Sequence, residues 1–153
     1  MKGGIEHLQI EIEIEENLED TQIIIKCREK NAFIDRLVAA LKIIDKKIMV
    51  FNGDDITPIN LKEILYIESV DGKCFIYTAK QIYESYHKLY ELEEQLGEYM
   101  FVRISKSGIV NLKNILSIKA YINRRLLITM NNKEQLIVSR QYAGGIKKLL
   151  GVK

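Results

Sequence analysis

The sequence predicts a mainly β protein of small antiparallel sheets with short helices, preceded by a small α+β unit of two strands and a helix. Three observations carry that expectation. Beyond Lys47, short β-branched and aromatic runs recur between turn residues at intervals too short for the crossover helices of a parallel sheet. Ahead of Lys47, an apolar period of two gives way to spacings of three and four. Turn-forming clusters, Asn52-Gly-Asp-Asp, Asp71-Gly72 and Asn131-Asn132-Lys133, punctuate the runs.

In chain order, Ile5, Leu8, Ile10, Ile12 and Ile14 largely alternate with His7, Gln9, Glu11, Glu13 and Glu15, the pattern of a half-buried strand. Asn17 to Asp20 supply a turn, and Gln22-Ile-Ile-Ile-Lys-Cys supplies a second run, so a hairpin is expected. Asn31 is a suitable N-cap for an amphipathic helix whose stripe is Phe33, Ile34, Leu37, Val38, Leu41 and Ile44. A strand at 47–51 follows, and the Asn52-Gly-Asp-Asp turn is a candidate boundary between the halves. After Pro58, strands are expected at 64–68, 74–78 and 81–84. A helix with Leu89, Leu92 and Leu96 on one face comes next, with Gly97 as its left-handed terminal residue. Further strands are expected at 101–104, 108–110, 115–119, 125–130 and 135–139, then a short basic helix at 142–150 weakened by Gly144-Gly145. The domains read as 1–46, an acidic strand-strand-helix module, and 47–153, the strand-rich body.

A net charge of +2 hides a gradient. Residues 1–55 hold 8 Lys/Arg against 12 Asp/Glu, a net of −4, and residues 56–153 hold 15 against 9, a net of +6. In residues 101–153, 11 basic residues face one acid, Glu134. A concentration of cations of that kind attracts a polyanion such as nucleic acid. Charges interrupt every apolar stretch and the amino terminus carries no apolar signal core, so a cytoplasmic chain is expected.

Enzyme chemistry finds little footing. Gly144-Gly145 is followed by Ile146 and cannot make a phosphate loop, and His7 and His87 have no spaced ligand partners for a metal. Cys27 and Cys74 lack the spacing of a redox or metal pair, and Cys74, beside Lys73 but within an apolar run, reads as a small core residue. Glu93 and Glu94 read as solvent-face carboxylates of a helix. No catalytic residue, metal, cofactor or small-molecule substrate is expected.

The segment Phe101-Val-Arg-Ile-Ser-Lys-Ser-Gly-Ile-Val-Asn, followed by Ile115, resembles the LytTR family of bacterial DNA-binding domains. That family places Phe, Arg, Ser, Val/Ile and Asn at the spacing of Phe101, Arg103, Ser107, Val110 and Asn111. Ile64-Leu-Tyr-Ile-Glu is similar to its first core strands and Val138-Ser-Arg-Gln-Tyr to its closing strand and turn, so the resemblance covers roughly residues 47–150. Two positions depart: Ser105 stands where many members have His, and Gly108 where they have an aromatic residue.

The resemblance implies an elongated domain of small stacked sheets that places loop side chains in successive major grooves of double-stranded DNA. Carried over by position, it implies loop sites at Lys73 with Cys74, at Lys106 and at Arg140, with Lys73, Lys106 and Arg140 as base contacts. Arg103, Ser105, Ser107, Lys119, Asn123, Arg124, Arg125, Tyr142 and Lys147 would contact the backbone. Phe101, Val110 and Ile115 read as core, and Asn111 as a turn residue. The implied function is a sequence-specific transcription regulator, acting as a homodimer on direct repeats. Residues 1–46 would dimerise it or bind an inhibitor, since short family members are often paired with a membrane protein. About 50 residues ahead of the domain are too few for a receiver fold of ~100. The alternative is a non-enzymatic interaction module that binds an acidic partner and extends its sheet through the amino-terminal hairpin. An RNA-binding sheet is disfavoured, because Phe101-Val-Arg-Ile lacks the base-stacking aromatic pattern.

Overall fold

A computed structural model describes residues 7–44 and 46–152 of the chain. Contacts divide it into two units, residues 1–30 and 31–153. In the first, a turn forms two residues ahead of the expected Asn17–Asp20, with the Leu18 N–H donating to the Glu15 carbonyl at 3.3 Å. The expected hairpin does not: no described residue of 7–30 is in a strand, and Ile10, Ile12 and Ile14 are each 86% exposed. A two-stranded ribbon by itself gains too little burial to hold its ladder. Ile5, the first position of the expected strand, lies outside the described residues.

The second unit opens with α1 (Ala32–Ile43), where the Asn31 Oδ1 accepts from the Ile34 N–H at 3.0 Å. Phe33, Ile34, Leu37, Val38 and Leu41 are half-buried and Asp35, Arg36 and Lys42 exposed, so the stripe is used as its spacing requires except at Ile44, which caps the helix and is 56% exposed. The helix lies against the turn at Gly97–Tyr99 and therefore groups with the strand-rich body, across the expected 46/47 division.

β1 (Lys47–Asn52) and β2 (Asp55–Asn60) form a hairpin across Gly53, whose φ of +64 suits glycine. The turn taken as a boundary therefore lies inside one sheet. β2 is absent from the sequence reading because Pro58 interrupts its pattern. It is an edge strand, where a missing N–H costs no ladder bond. β3 (Ile64–Val70) and β4 (Lys73–Thr78) meet at Asp71 and Gly72, both left-handed, as a two-residue hairpin turn demands. β5 (Ile82–Ser85), α2 (Leu89–Leu96), β6 (Phe101–Ser105) and β7 (Gly108–Asn111) follow. Gly97 stays right-handed at φ −57, and the left-handed residue is Met100 after one more turn of 3-10 helix. β8 (Ile115–Ala120), β9 (Leu126–Met130), β10 (Gln135–Val138) and α3 (Arg140–Leu149) complete the chain.

Among the described residues all ladders are antiparallel, in a seven-stranded sheet ordered β2-β1-β5-β4-β3-β7-β6 and a three-stranded sheet ordered β10-β9-β8. The mainly β expectation holds. One core joins Leu89, Leu92 and Leu96 of α2 to Val50, Ile67, Ile76, Phe101 and Ile109 of the large sheet. The other joins Leu65, Ile104 and Val110 to Ile128, Met130 and Val138 of the small sheet and Ala143 and Ile146 of α3. Two asparagines brace the turns linking them. The fully buried Asn111 amide donates to the Ile64 carbonyl at 2.9 Å while its oxygen accepts from the Lys113 N–H, and Asn114 donates to the carbonyls of Lys62 and Ile64.

Candidate nucleic-acid interface

Strand register brings four connections to one rim of the sheets. Val70 pairs with Lys73, and Glu68 pairs with Gly108, so the β3–β4 turn stands beside the β6–β7 turn; the Ser69 N–H donates to the Ser107 carbonyl at 2.8 Å. Ser105 pairs with Gly108, and the Ser139 N–H donates to the Ile104 carbonyl at 2.8 Å, which sets the β10–α3 junction next in line. Val138 pairs with Leu126 and Leu126 with Ala120, so the β8–β9 turn ends the row. Along this rim lie Lys73, then Lys106, then Arg140, then Lys119, Asn123, Arg124 and Arg125. Glu134, the one acid of residues 101–153, sits in the β9–β10 turn at the other end of the small sheet.

Lys73 is exposed and its Nζ lies 3.7 Å from the carboxylate of the half-buried Glu84; with the lysine side chain 68% exposed, the pairing holds it only weakly. Lys106 is exposed at the tip of the β6–β7 turn. Arg140 is exposed and, where the sequence suggested a turn, it is the first residue of α3. The positive end of the helix dipole therefore adds to its charge.

The residues expected at the DNA backbone divide into two kinds. Lys119, Asn123, Arg124 and Ser107 are exposed, and Asn123 and Arg124 both adopt left-handed φ in the β8–β9 turn. Arg125 is half-buried, its Nε donating to the Ile122 carbonyl and its guanidinium 5.5 Å from the Tyr121 ring centroid. The Ser105 hydroxyl accepts from the Ser107 N–H at 3.2 Å and so shapes the turn. Tyr142 and Lys147 are half-buried on α3, which lies against the 122–124 turn.

Arg103 is the most constrained. Its Nε donates to the Ser105 carbonyl at 2.8 Å, one terminal nitrogen to the Lys106 carbonyl at 2.6 Å, and the other to the Glu93 carboxylate at 2.6 Å. Glu93, read from the sequence as a solvent-face acid, is thus an ion-pair partner delivered by α2. No local pattern signals a contact between a helix and the strand ten residues on.

Cys74 does not share the loop position that its neighbour Lys73 holds. It is 2% exposed in the core under α2, and burial pushes its thiol up against the opposing pull of the Lys88 charge. Tyr66 and Tyr77, stacked with ring centroids 4.3 Å apart, donate to Glu134 at 2.7 Å and Glu68 at 3.1 Å, and burial leads the causes that raise both hydroxyls. Among the described residues no group of three or more His, Cys, Asp or Glu could hold a metal ion.

The family pattern described as the LytTr DNA-binding domain matches residues 54–151. The chain belongs to the LytTR family. A solved LytTr DNA-binding domain of a putative methyl-accepting/DNA response regulator from Bacillus cereus superposes with a TM-score of 0.65 at 28% identity. It covers 69% of this chain and 96% of that one. The sensory transduction protein LytT of Bacillus cereus is 32% identical over 99 residues, which are 65% of this chain and 40% of that protein. This LytTR chain thus spans about two-fifths of that relative's length. An uncharacterized HTH-type transcriptional regulator of Staphylococcus aureus strain N315 is 25% identical over 147 residues, covering 95% of this chain and 99% of that protein. The LytTR match excludes β1 and the whole amino-terminal unit.

Proposed function

We propose that this chain is a sequence-specific, non-enzymatic DNA-binding transcription regulator. Lys73, Lys106 and Arg140 would enter successive major grooves from one rim. The alignment of the three basic connections in a single row, set by strand register, carries the reading. Arg140 is the strongest base contact, because a guanidinium can donate two parallel bonds to guanine O6 and N7. Ser105, Ser107, Lys119, Asn123, Arg124, Arg125, Tyr142 and Lys147 would set the domain on phosphates without reading sequence. The descriptions of the solved Bacillus cereus domain, as part of a putative DNA response regulator, and of the Staphylococcus aureus relative, as an HTH-type transcriptional regulator, support a role in transcription. No helix among the described residues is long and apolar enough to cross a membrane, and we place the chain in the cytoplasm, where its DNA would be.

One domain of this size offers limited contact area, so binding as a homodimer to direct repeats follows, with residues 1–46 as the element that dimerises or receives a membrane-protein inhibitor. The test is retention of duplexes selected from a random-sequence library, compared with unselected duplexes over a range of salt. Enrichment of a defined site supports the reading. Binding without sequence preference, governed by salt alone, refutes it.

A second reading has its own observation. The alternating Ile10, Ile12 and Ile14, each 86% exposed, suit an extended segment that adds a strand to a partner's sheet. A chain that captures a protein partner through residues 7–15 and retains no selected duplex would favour that reading.

A further inference from the structure

We propose that Arg103 is a positioning residue for Lys106, held in that role by Glu93, and is not a phosphate contact. This rests on the reading of the β6–β7 turn as a base-contacting loop. Arg103 leaves β6 toward α2, and its side chain is 18% exposed. Its fork is filled by three acceptors: the carbonyls of Ser105 and Lys106, which belong to the turn itself, and the Glu93 carboxylate. To reach a phosphate, the guanidinium would have to release two turn carbonyls and a carboxylate, three charge-assisted bonds that fix the tip from which Lys106 projects.

The same geometry explains the need for arginine. The Nε and the two terminal nitrogens lie in one plane and point in different directions, so one side chain spans residues 105, 106 and 93. A lysine has the charge and one nitrogen, and cannot reach all three. Glu93 both orients the guanidinium and offsets its charge, and it couples α2, the lid of one core, to the loop at the rim. Two further bonds brace the turn, Ser107 N–H to Ser105 Oγ and Ser69 N–H to Ser107 carbonyl. The loop is therefore pinned from β6, β3 and α2 together.

The experiment uses the full chain, a duplex it selects from a random library, and a random duplex of equal length. Arg103→Lys is expected to lose about tenfold in affinity for the selected duplex while the random duplex and the salt slope stay unchanged. Because Arg103 acts through Lys106, that loss is expected to disappear in a chain already carrying Lys106→Ala. Glu93→Ala gives a difference of sign. A clamp predicts weaker binding to the selected duplex, whereas an arginine competing between Glu93 and DNA predicts stronger binding to both duplexes. The proposal is overturned if Glu93→Ala strengthens binding, or if Arg103→Lys is silent while Arg103→Ala lowers the salt slope by about one. Should Arg103→Lys fail to fold, the Glu93→Ala variant, at a half-buried position of α2, still decides the matter. Failure to select any duplex strikes the regulator reading itself, separately from the clamp.

Discussion

Tyr66 adds a hydrogen bond to the core that joins the two sheets, its hydroxyl donating from β3 to Glu134 in the β9–β10 turn at 2.7 Å. Burial comes first among the causes that raise its hydroxyl, with the bond to Glu134 next. A phenol whose folded value lies above its ordinary value contributes stability fully below about pH 10, and loses it as pH rises further. Tyr66→Phe is expected to cost about 1 kcal/mol at pH 7 and to flatten the decline above pH 10. Urea midpoints measured from pH 7 to 11 check this, and an unaltered alkaline decline in the variant would count against it. On the rim, Arg140→Ala is expected to cost about 1–3 kcal/mol on a selected duplex and to relax preference at one base position. Lys147→Ala is expected to weaken all duplexes alike and lower the salt slope by about one. Equal losses on random DNA from both variants would remove Arg140 from base reading.

Among the elements, α3 carries an internal weakness. Gly144 and Gly145 sit inside the helix, where glycine is costly, and a Cβ at either position meets nothing within 4 Å. Gly144→Ala and Gly145→Ala are each expected to stabilise the chain by about 0.5–1 kcal/mol, read as a rise in thermal midpoint. A fall in the midpoint would mean that the space seen around the helix is not available to a side chain. The strands show how far local pattern reaches. β3 through β10 arise from runs visible in the sequence because their β-branched residues, turn pairs and period of two act over a few positions. β2 escapes that reading because its identity depends on lying at an edge, a property of the sheet and not of Asp55–Asn60.

At the scale of the whole molecule, the unit of residues 31–153 carries all the described strands and both cores, while 7–30 adds none of either. A chain beginning at Asn31 is expected to keep a cooperative melt and DNA retention, and to lose self-association. Sedimentation and duplex retention measured side by side check it. A dimer that persists without residues 1–30 would place the dimer contact within residues 31–153, α1 included. DNA affinity of the full chain is expected to fall with the logarithm of salt, with a slope of about −0.9 per phosphate neutralised. A flat salt response would be incompatible with the rim as a phosphate-facing surface.

By itself the sequence determined the β class, most strand positions, the Asn31 cap, the turn at Asp71 and Gly72, and the charge gradient, because each follows from neighbours a few residues apart. Family likeness in residues 101–115 pointed to the domain type. Only the tertiary structure decided that the basic connections share one rim, that α1 joins the strand-rich unit, that the hairpin of the first unit does not close, and that Cys74 is buried beside an exposed Lys73. It also decided that Arg103 grips Glu93 and the turn carbonyls. These outcomes depend on which segments pair across tens of residues and on which faces find a covering layer. A local pattern carries neither, since a charge in a strand reads the same whether it ends in solvent or against a helix.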